Sequence, residues 1–365
     1  MKATISVDAA DGAARAGLVT LARGSFRSPC FMPVGTRGAV KALSSADLEA
    51  LGAEVILGNT YHLMLRPGAK VIEHLGGLHR FAGWNRLMLT DSGGFQVMSL
   101  SPAVDDDGVT FRSVYDGSRH RLTPEDAVAV QEQIGADIQM VLDVCSPLPA
   151  ADDVLRLAVE RTAAWARRAR AAHKRPDQSL FGIVQGGLDP GLRVESAERT
   201  VEIGFDGYAI GGLSVGESRP DMLDTLAVTI GHLPADQPRY LMGLGDPIGL
   251  VEAVALGVDM FDCVAPTRQA RHGTLYTSSG KLSLRRAEMA MDDRPIDERC
   301  GCSVCARWSR AYLRHLLQVN EPTVLRLASI HNLAFILGLM EQIRRAIQEG
   351  RLGALRAEVA ETFAA

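Results

Sequence analysis

Short apolar runs that end in polar or glycine-rich turns recur along this chain, and segments with helical spacing separate them. Two such helical segments are residues 151–172 and 248–256. Short buried strands that alternate with helices are typical of βα units around a parallel sheet, and seven or eight units in one chain favour a closed barrel. The sequence therefore predicts an α/β fold, a (β/α)₈ TIM barrel, with an open doubly wound sheet as the alternative. The runs cover residues 54–57, 86–90, 138–142, 180–184, 207–210, 240–242 and 258–261.

The 365 residues, with 47% apolar content, are enough to bury one large core. We therefore expect a single TIM-barrel domain over residues 1–365. Apolar and polar residues alternate in parts of the first 35 residues, which predicts a small N-terminal antiparallel cap over about residues 1–35. A zinc-binding subdomain is expected over about residues 280–335, inserted before the last helix.

Three of the six cysteines are crowded together as Cys300, Cys302 and Cys305, and His331 follows them. Three thiolates and one imidazole make a closed tetrahedral zinc set, which leaves no coordination position for water or substrate. The sequence thus predicts one structural zinc ion per chain, with His331 opening a helix over residues 333–349. The alternative is a cysteine-rich turn without metal.

The charge of the chain is unevenly placed. The formal net charge is −4, yet residues 266–320 hold ten Lys or Arg against five Asp or Glu. Such an excess is a candidate polyanion-binding patch, although chance clustering on a solvated face would look the same. Neither a signal peptide nor a run of roughly 20 apolar residues is visible, so we expect a cytoplasmic protein without a membrane partner.

Two aspartates follow or end apolar runs, Asp91 in Asp-Ser-Gly-Gly-Phe-Gln and Asp262 in Val-Asp-Met-Phe-Asp. In a TIM barrel the loops after the strands build the active site, so both carboxylates are expected at one end of the barrel. Two facing carboxylates can divide labour, one as nucleophile and the other as general acid or base. Each aspartate alone would equally suit a helix cap or a turn.

The same end of the barrel offers groups that suit a purine edge. Asp143 and Gln185 supply an acceptor and a donor for a base such as guanine. Backbone N–H groups near Gly212 and Leu213 could add to them, and Phe95 or Met242 could stack on the base, although Met242 is equally plausible as a core residue.

Taken together, five motifs resemble those of the tRNA-guanine transglycosylases, also called queuine tRNA-ribosyltransferases. The resemblance runs from about residue 26 to the end of the chain. The zinc set is one motif, and the others are Asp91-Ser-Gly-Gly-Phe-Gln96, Gly182-Ile-Val-Gln-Gly-Gly187, Gly211-Gly-Leu-Ser-Val-Gly-Glu217, and Asp259-Met-Phe-Asp-Cys-Val264 with Pro266-Thr-Arg268.

The resemblance implies an enzyme of queuosine biosynthesis, a pentosyltransferase that replaces the wobble guanine of tRNAs whose anticodons read G-U-N. These are the tRNAs for Asp, Asn, His and Tyr. By similarity, Asp262 attacks the ribose C1′ and holds a covalent ribosyl intermediate, while Asp91 transfers protons. Asp143, Gln185, Gly212 and Leu213 would read the base, and Phe95 or Met242 would sandwich it.

The resemblance also implies contacts with the anticodon loop, most directly through Arg268 and Arg271, and further basic residues at Arg285, Arg286, Arg307, Arg310 and Arg314 would grip the backbone. The RNA-binding residues carried over from the family are Gly243, Leu244, Gly245, Thr267, Arg268, Gln269, Ala270 and Arg271. Family members commonly work as homodimers, and we expect a homodimer on that ground alone.

The incoming base is expected to be preQ1, with queuine as the alternative. Cys145 and Val215 resemble the pocket of bacterial members, which take preQ1. By contrast, Val144 replaces a glutamate common in bacterial members, and Ser214 with Ser218 resembles the eukaryotic loop. A non-catalytic tRNA-binding partner subunit is a second alternative. The presence of both Asp91 and Asp262 argues against it. A zinc hydrolase and an archaeal-type enzyme are disfavoured, because the zinc set is filled and no added RNA-binding domain follows.

Overall fold

The computed structural model describes residues 3–100 and 102–363. Their strands are β1 Thr4–Asp11, β2 Ala14–Thr20, β3 Ser25–Ser28, β4 Cys30–Gly35, β5 Val55–Gly58, β6 Leu87–Thr90, β7 Ala103–Asp105, β8 Gly108–Arg112, β9 Arg119–Leu122, β10 Ile138–Met140, β11 Ser179–Val184, β12 Gly207–Ile210, β13 Arg239–Leu241, β14 Met260–Cys263, β15 Thr274–Thr277 and β16 Gly280–Ser283. The α-helices are α1 Ser45–Ala50, α2 Thr60–Leu65, α3 Ala69–His74, α4 Leu78–Ala82, α5 Gly94–Met98, α6 Pro124–Ile134, α7 Asp152–Ala172, α8 Pro190–Ile203, α9 Arg219–Gly231, α10 Pro247–Ala255, α11 Ala265–Arg271, α12 Arg310–Gln318, α13 Thr323–Gln348 and α14 Leu352–Phe363.

Eight of these strands close into a parallel barrel, in the order β10-β11-β12-β13-β14-β4-β5-β6. Helices flank the strands, so the TIM-barrel prediction is confirmed. The strands are short and mostly buried because the barrel interior covers one face and the outer helices cover the other. The predicted helical segments at residues 151–172 and 248–256 correspond to α7 and α10.

The first barrel strand, β4, lies within the range expected for the N-terminal cap. Its sequence Cys-Phe-Met-Pro-Val-Gly is a continuous apolar run rather than an alternating one, and β4 pairs in parallel with β14 and β5 to close the barrel. The antiparallel cap consists of β1, β2 and β3, and it ends at Ser28. Alternation of apolar and polar residues marks a strand with one solvated face, which describes the cap but not β4.

A buried ion pair joins the cap to the amino end of the barrel. The Arg15 guanidinium donates from Nε and Nη2 to both carboxylate oxygens of Asp259, at 2.8 and 2.6 Å. Asp259 immediately precedes β14, and its Oδ2 also accepts from the backbone N–H of Arg239 at the start of β13. The cap therefore covers the end of the barrel where strands begin and leaves the carboxyl ends of the strands open.

The segment between α11 and α13 carries the cysteines. It consists of the β15–β16 hairpin, a short 3₁₀ helix at Ala287–Met291, the cysteine loop and α12. Two helices follow it, α13 and α14, so it precedes the penultimate helix of the described chain rather than the last one. A further insertion, the β7-β8-β9 antiparallel sheet, lies between α5 and α6.

The sequence predicted that His331 opens a helix, and the structure shows that this prediction is wrong. Helix α13 begins eight residues earlier, at Thr323, because Val324, Leu327, Ala328 and His331 already form its buried face at helical spacing. Helix α13 is also long and apolar enough to cross a membrane by length and composition, but 61% of its apolar window is buried inside the fold. Core helices commonly meet the same criteria.

Candidate active site

The polar residues predicted for catalysis converge on the carboxyl ends of the barrel strands, which we call the barrel mouth. Asp91 follows β6, Asp143 follows β10, and Gln185 follows β11. On the other side of the barrel, Met242 follows β13 and Asp262 lies near the end of β14. In an eight-stranded parallel barrel all these positions surround one opening.

Asp262 is held by one of its two carboxylate oxygens. Oδ1 accepts from the Tyr240 hydroxyl at 2.5 Å and from the Gly243 backbone N–H at 3.0 Å. Among the described residues no group donates to Oδ2. Burial raises the pKa of Asp262, whereas both hydrogen bonds favour its ionised form. The carboxylate is thus fixed in orientation while one oxygen remains free to attack.

Asp91 sits in a denser set of hydrogen bonds. Its Oδ2 accepts from Asn59 Nδ2 at 2.6 Å, and its Oδ1 accepts from the backbone N–H groups of Thr60 at 2.9 Å and Gly93 at 3.1 Å. Burial, together with smaller contributions from the charges of Asp262 and Asp143, nevertheless raises the pKa of Asp91 to about 7.

Asp91 and Asp262 stand at the carboxyl ends of β6 and β14, and the charge of Asp262 contributes to the raised pKa of Asp91. A carboxylate charge disfavours the ionisation of a second carboxyl group nearby. Near neutral pH Asp91 can therefore both give and take up a proton, while the hydrogen bonds to Asp262 favour its ionised form. That division suits one nucleophile and one acid or base.

Asp143 and Gln185 form one unit at the base of the mouth. Gln185 Nε2 donates to Asp143 Oδ2 at 2.6 Å, and both side chains are buried. Burial raises the pKa of Asp143 to about 6. At neutral pH the group is largely ionised and can accept from N–H groups of a ligand.

The glycine pair after β12 is required by the Gln185 side chain. A Cβ on Gly211 would lie 2.6 Å from Gln185 Nε2, and one on Gly212 would lie 2.4 Å from Gln185 Oε1. Gly212 also has a φ of +66°, which favours glycine. The loop beyond it is fixed by Glu217, which accepts from the backbone N–H groups of Ser214 and Val215.

The two side chains expected to stack on a base differ in exposure. Phe95, in the first turn of α5, is 57% exposed, which is high for an aromatic side chain and leaves its ring available to a ligand. Met242 is half-buried and packs against the main core. Met242 thus serves as a core residue, and its exposed part, directly after β13, is accessible to a ligand.

Comparison with known proteins agrees with this geometry. A family model described as queuine tRNA-ribosyltransferase matches residues 10–365. The chain belongs to this family. A queuine tRNA-ribosyltransferase of Solidesulfovibrio magneticus is 52% identical over 98% of this chain and 96% of its own length. One of Caldanaerobacter subterraneus is 54% identical over 93% and 91%, and one of Bacillus licheniformis is 52% identical over 96% and 93%.

The predicted family, that of the tRNA-guanine transglycosylases, is therefore confirmed, and so is the prediction of a transferase that acts in tRNA processing. Two further residues of the mouth, Tyr240 and Arg193, were not found by sequence reasoning.

Arg193 is the more informative of the two. It lies in α8 and is completely buried, and burial lowers its pKa to about 10. Its guanidinium donates to the carbonyl oxygens of Gly187 at 2.7 Å, Gly211 at 2.8 Å, and Val184 and Gly212 at 3.3 Å. Because its partners are backbone carbonyls of two glycine-rich turns, only its position soon after the Gln-Gly-Gly motif could have pointed to it.

The residues expected to contact RNA lie on the Asp262 side of the mouth and differ in exposure. Arg268 is exposed on α11, and Arg271 is half-buried with no partner for Nη1 among the described residues. Gly243 is exposed and Gln269 half-buried, whereas Leu244, Gly245, Thr267 and Ala270 are buried. A cavity of about 320 Å³ adjoins them, lined by Leu244, Gly245 and Cys263 among others.

Part of the predicted basic patch is occupied within the fold. Arg310 donates to Asp292 and to the carbonyl oxygens of Pro295 and Ile296. Arg314 donates to the carbonyl oxygens of Leu284 and Arg285. These two arginines support the cysteine-bearing segment, and they are poor candidates for gripping RNA.

The predicted metal ligands do come together. The donor atoms of Cys300, Cys302, Cys305 and His331 all lie within 4.8 Å of one another. His331 Nδ1 lies 3.6 Å from Cys302 Sγ and 3.3 Å from Cys305 Sγ, close to the roughly 3.5 Å edge of a tetrahedral zinc site. His331 Nε2 lies 2.7 Å from the Tyr276 carbonyl oxygen, which fixes its proton there and leaves Nδ1 as the ligand atom. The cluster fits a metal ion.

We predict that the Asp262→Asn variant lowers the pKa of Asp91. The reason is electrostatic, since the charge of Asp262 contributes to raising that pKa to about 7 and the amide removes it. The measurement is a carbon NMR titration of protein labelled at aspartate carboxyls, with the Asp91 signal assigned by its loss in Asp91→Asn.

A matched control is Asp8→Asn, which removes an exposed carboxylate from β1 in the cap. It should leave the Asp91 titration unchanged. If the pKa of Asp91 is the same in Asp262→Asn as in the control, the two carboxylates do not interact electrostatically, and the prediction is wrong.

Proposed function

We propose that the protein exchanges the wobble guanine of tRNAs with G-U-N anticodons for a 7-deazaguanine in queuosine biosynthesis. The supporting observation is the pair at the mouth, an oriented Asp262 with a free oxygen and an Asp91 whose pKa is raised to about 7. Family membership supplies the reaction class, and the pair supplies the two chemical roles that a double displacement needs.

In the first step, the free oxygen of Asp262 attacks the ribose C1′ of the target nucleotide. A C1′–O bond forms as the C1′–N9 bond breaks, and the departing guanine takes up a proton from Asp91. In the second step, ionised Asp91 removes the N9 proton of the incoming base. That nitrogen then attacks C1′ and releases the Asp262 carboxylate, so both aspartates return to their starting states.

The guanine edge is read by the buried unit of Asp143 and Gln185. An ionised Asp143 accepts from N1–H and N2–H₂, and Gln185 with the backbone at Gly212 and Leu213 reads the opposite edge. Phe95 or Met242 stacks on the ring. Arg193 supports this pocket by fixing the carbonyl groups of Gly211 and Gly212.

The target base must leave its stack, and an anticodon loop exposes its bases at modest cost. Arg268 and Arg271 would hold neighbouring nucleotides and phosphates, with Gly243, Leu244, Gly245, Thr267, Gln269 and Ala270 shaping the surface. The substrates are the tRNAs for Asp, Asn, His and Tyr. We place the reaction in the cytoplasm, as expected from the sequence, and assign the working state as a homodimer from the family resemblance.

The proposed mechanism predicts that Asp262→Asn reduces guanine exchange into an anticodon hairpin by at least about a thousandfold, because the amide cannot form the covalent intermediate. The measurement is incorporation of radiolabelled guanine under saturating hairpin. Asp224→Asn, which changes an exposed carboxylate on α9, serves as the control and should keep full activity.

Full exchange by Asp262→Asn would instead support the alternative of a non-catalytic tRNA-binding partner subunit, and the nucleophile assignment would be abandoned.

We also propose that the metal is zinc, one ion per chain, held by Cys300, Cys302, Cys305 and His331 in a structural role. Four protein ligands would close its coordination sphere, so its contribution is to the stability of the segment between α11 and α13. The site includes His331 of α13, and Cys300 and Cys302 line the same cavity as Cys30 at the start of β4.

Removal of zinc with a strong chelator should therefore lower the melting temperature, and Cys302→Ser should purify with less than one zinc per chain. The control is Cys145→Ser, which should retain the metal. Elemental analysis with thermal unfolding checks both, and a full zinc complement in Cys302→Ser would contradict this ligand set.

For the incoming base we favour preQ1, because Cys145 and Val215 resemble the pocket of bacterial members, which take preQ1. Purified enzyme and unmodified tRNA offered each base separately should incorporate preQ1 efficiently, with mass spectrometry of the nucleosides as the readout. Efficient incorporation of queuine together with none of preQ1 would reverse the assignment.

A further inference from the structure

A cluster of cationic and aromatic side chains lies at the mouth on the Asp91 side, and the proposed mechanism does not use it. We call it the Tyr115 cluster, and it consists of Arg37, His62, Arg66 and Tyr115. The guanidinium carbons of Arg37 and Arg66 lie over the Tyr115 ring, at 5.4 and 4.4 Å from its centroid. Both arginines are exposed, and Tyr115 is half-buried.

The cluster is built from the elements that position Asp91. Arg37 follows β4, Arg66 ends α2, and Tyr115 lies in the turn between β8 and β9. Helix α2 begins with Thr60, and the Thr60 backbone N–H is one of the groups that hold the Asp91 carboxylate. The helix that holds Asp91 at its first residue therefore carries His62 and ends at Arg66 of the Tyr115 cluster.

The turn that carries Tyr115 is anchored to α2 at two points. The Tyr115 hydroxyl lies 2.8 Å from His62 Nδ1, and the Val114 backbone N–H donates to the Tyr61 hydroxyl at 3.1 Å. These bonds hold the ring in place between the arginines and α2. The aromatic surface is thus a fixed platform and not a loose loop side chain.

The charges of the cluster lack a counter-charge. Among the described residues neither the Arg37 nor the Arg66 guanidinium forms an ion pair or a hydrogen bond. Burial and the nearby Arg37 lower the pKa of His62, so its ring is neutral near pH 7. The adjacent Asp116 accepts from Ser118. Two guanidiniums that meet on one ring without a carboxylate repel each other, and a bound anion would relieve that repulsion.

We propose that the Tyr115 cluster is a nucleotide subsite for the anticodon loop, where Arg37 and Arg66 bind a phosphate and Tyr115 or a guanidinium plane stacks on the adjoining base. The inference rests on the proposed function, since the occupant is RNA that flanks the exchanged nucleotide. Arg268 and Arg271 lie on the Asp262 side, so an RNA strand that crosses the mouth meets cations on both sides. Single-stranded RNA is held by this combination of cations and aromatic platforms.

The experiment measures binding of a fluorescent anticodon hairpin by anisotropy, over a series of salt concentrations, for full-length protein. We expect Arg37→Gln and Arg66→Gln each to weaken binding about 3- to 10-fold and to lower the salt slope by about 0.7, the value for one phosphate contact on a single strand. The kcat of guanine exchange should change less than the KM for the hairpin, because neither arginine touches the reacting atoms.

Arg356→Gln is the matched control, since Arg356 is exposed on α14 and has no ion partner among the described residues. It should bind like wild type. For the platform, Tyr115→Phe should keep binding while Tyr115→Leu weakens it. Melting temperatures of all variants show whether they fold.

Folded Arg37→Gln and Arg66→Gln variants that match the control in affinity and salt slope would overturn the subsite. Failure of the proposed guanine exchange would give a different result from failure of the subsite. In that case wild-type protein would exchange no guanine, whereas the binding comparison among variants would still be decided by the anisotropy data.

Discussion

Burial of the carboxylates in the barrel mouth, together with the weaker repulsion between them, is the constraint on which the proposed chemistry depends. In a fully solvated site, water would screen the repulsion between the two carboxylates. In a core without water, the cost of burying both charges would keep the carboxyl groups protonated. The mouth lies between these limits because hydrogen bonds from Tyr240 and Gly243 favour ionised Asp262, while Asp91 is pushed toward protonation despite its own donors. The asymmetry gives each aspartate a distinct role.

The rest of the fold serves to hold that opening in shape. The Arg15–Asp259 pair seals the cap onto the amino ends of β13 and β14, at the far end of the barrel from the mouth. Arg193 ties the turns after β11 and β12 together through four carbonyl oxygens, which positions the loop that would meet a base. Neither group needs to contact a substrate, yet each limits how far the mouth can deform.

Sequence reasoning predicted the barrel because parallel strands covered on both faces appear as short apolar runs. It located Asp91, Asp143, Gln185 and Asp262 because each stands at or near the end of such a run. The same rule misplaced β4, whose run follows the alternating strands of the cap without an intervening helix. The chemistry of Cys300, Cys302, Cys305 and His331 predicted that these residues cluster, as they do. The start of α13 was not predicted, because a buried histidine gives no local signal for its place in a helix.

Residues whose partners are backbone groups or distant side chains were beyond sequence reasoning. Arg193 binds carbonyl oxygens, and Tyr240 reaches Asp262 only because β13 and β14 are neighbours in the barrel. The Tyr115 cluster likewise brings together three segments that are far apart in the chain. Such contacts depend on closure of the barrel and on the β7-β8-β9 insertion, which no local pattern specifies.

The central claim is that Asp262 becomes covalently bound to ribose during exchange. The most direct measurement is to mix the enzyme with a short anticodon hairpin in the absence of a second base, quench with denaturant, and map the ribosylated peptide by mass spectrometry. We predict one modified peptide, with the RNA attached at Asp262. Attachment at Asp91, or active exchange with no adduct at any carboxylate, would contradict the double displacement proposed for this protein.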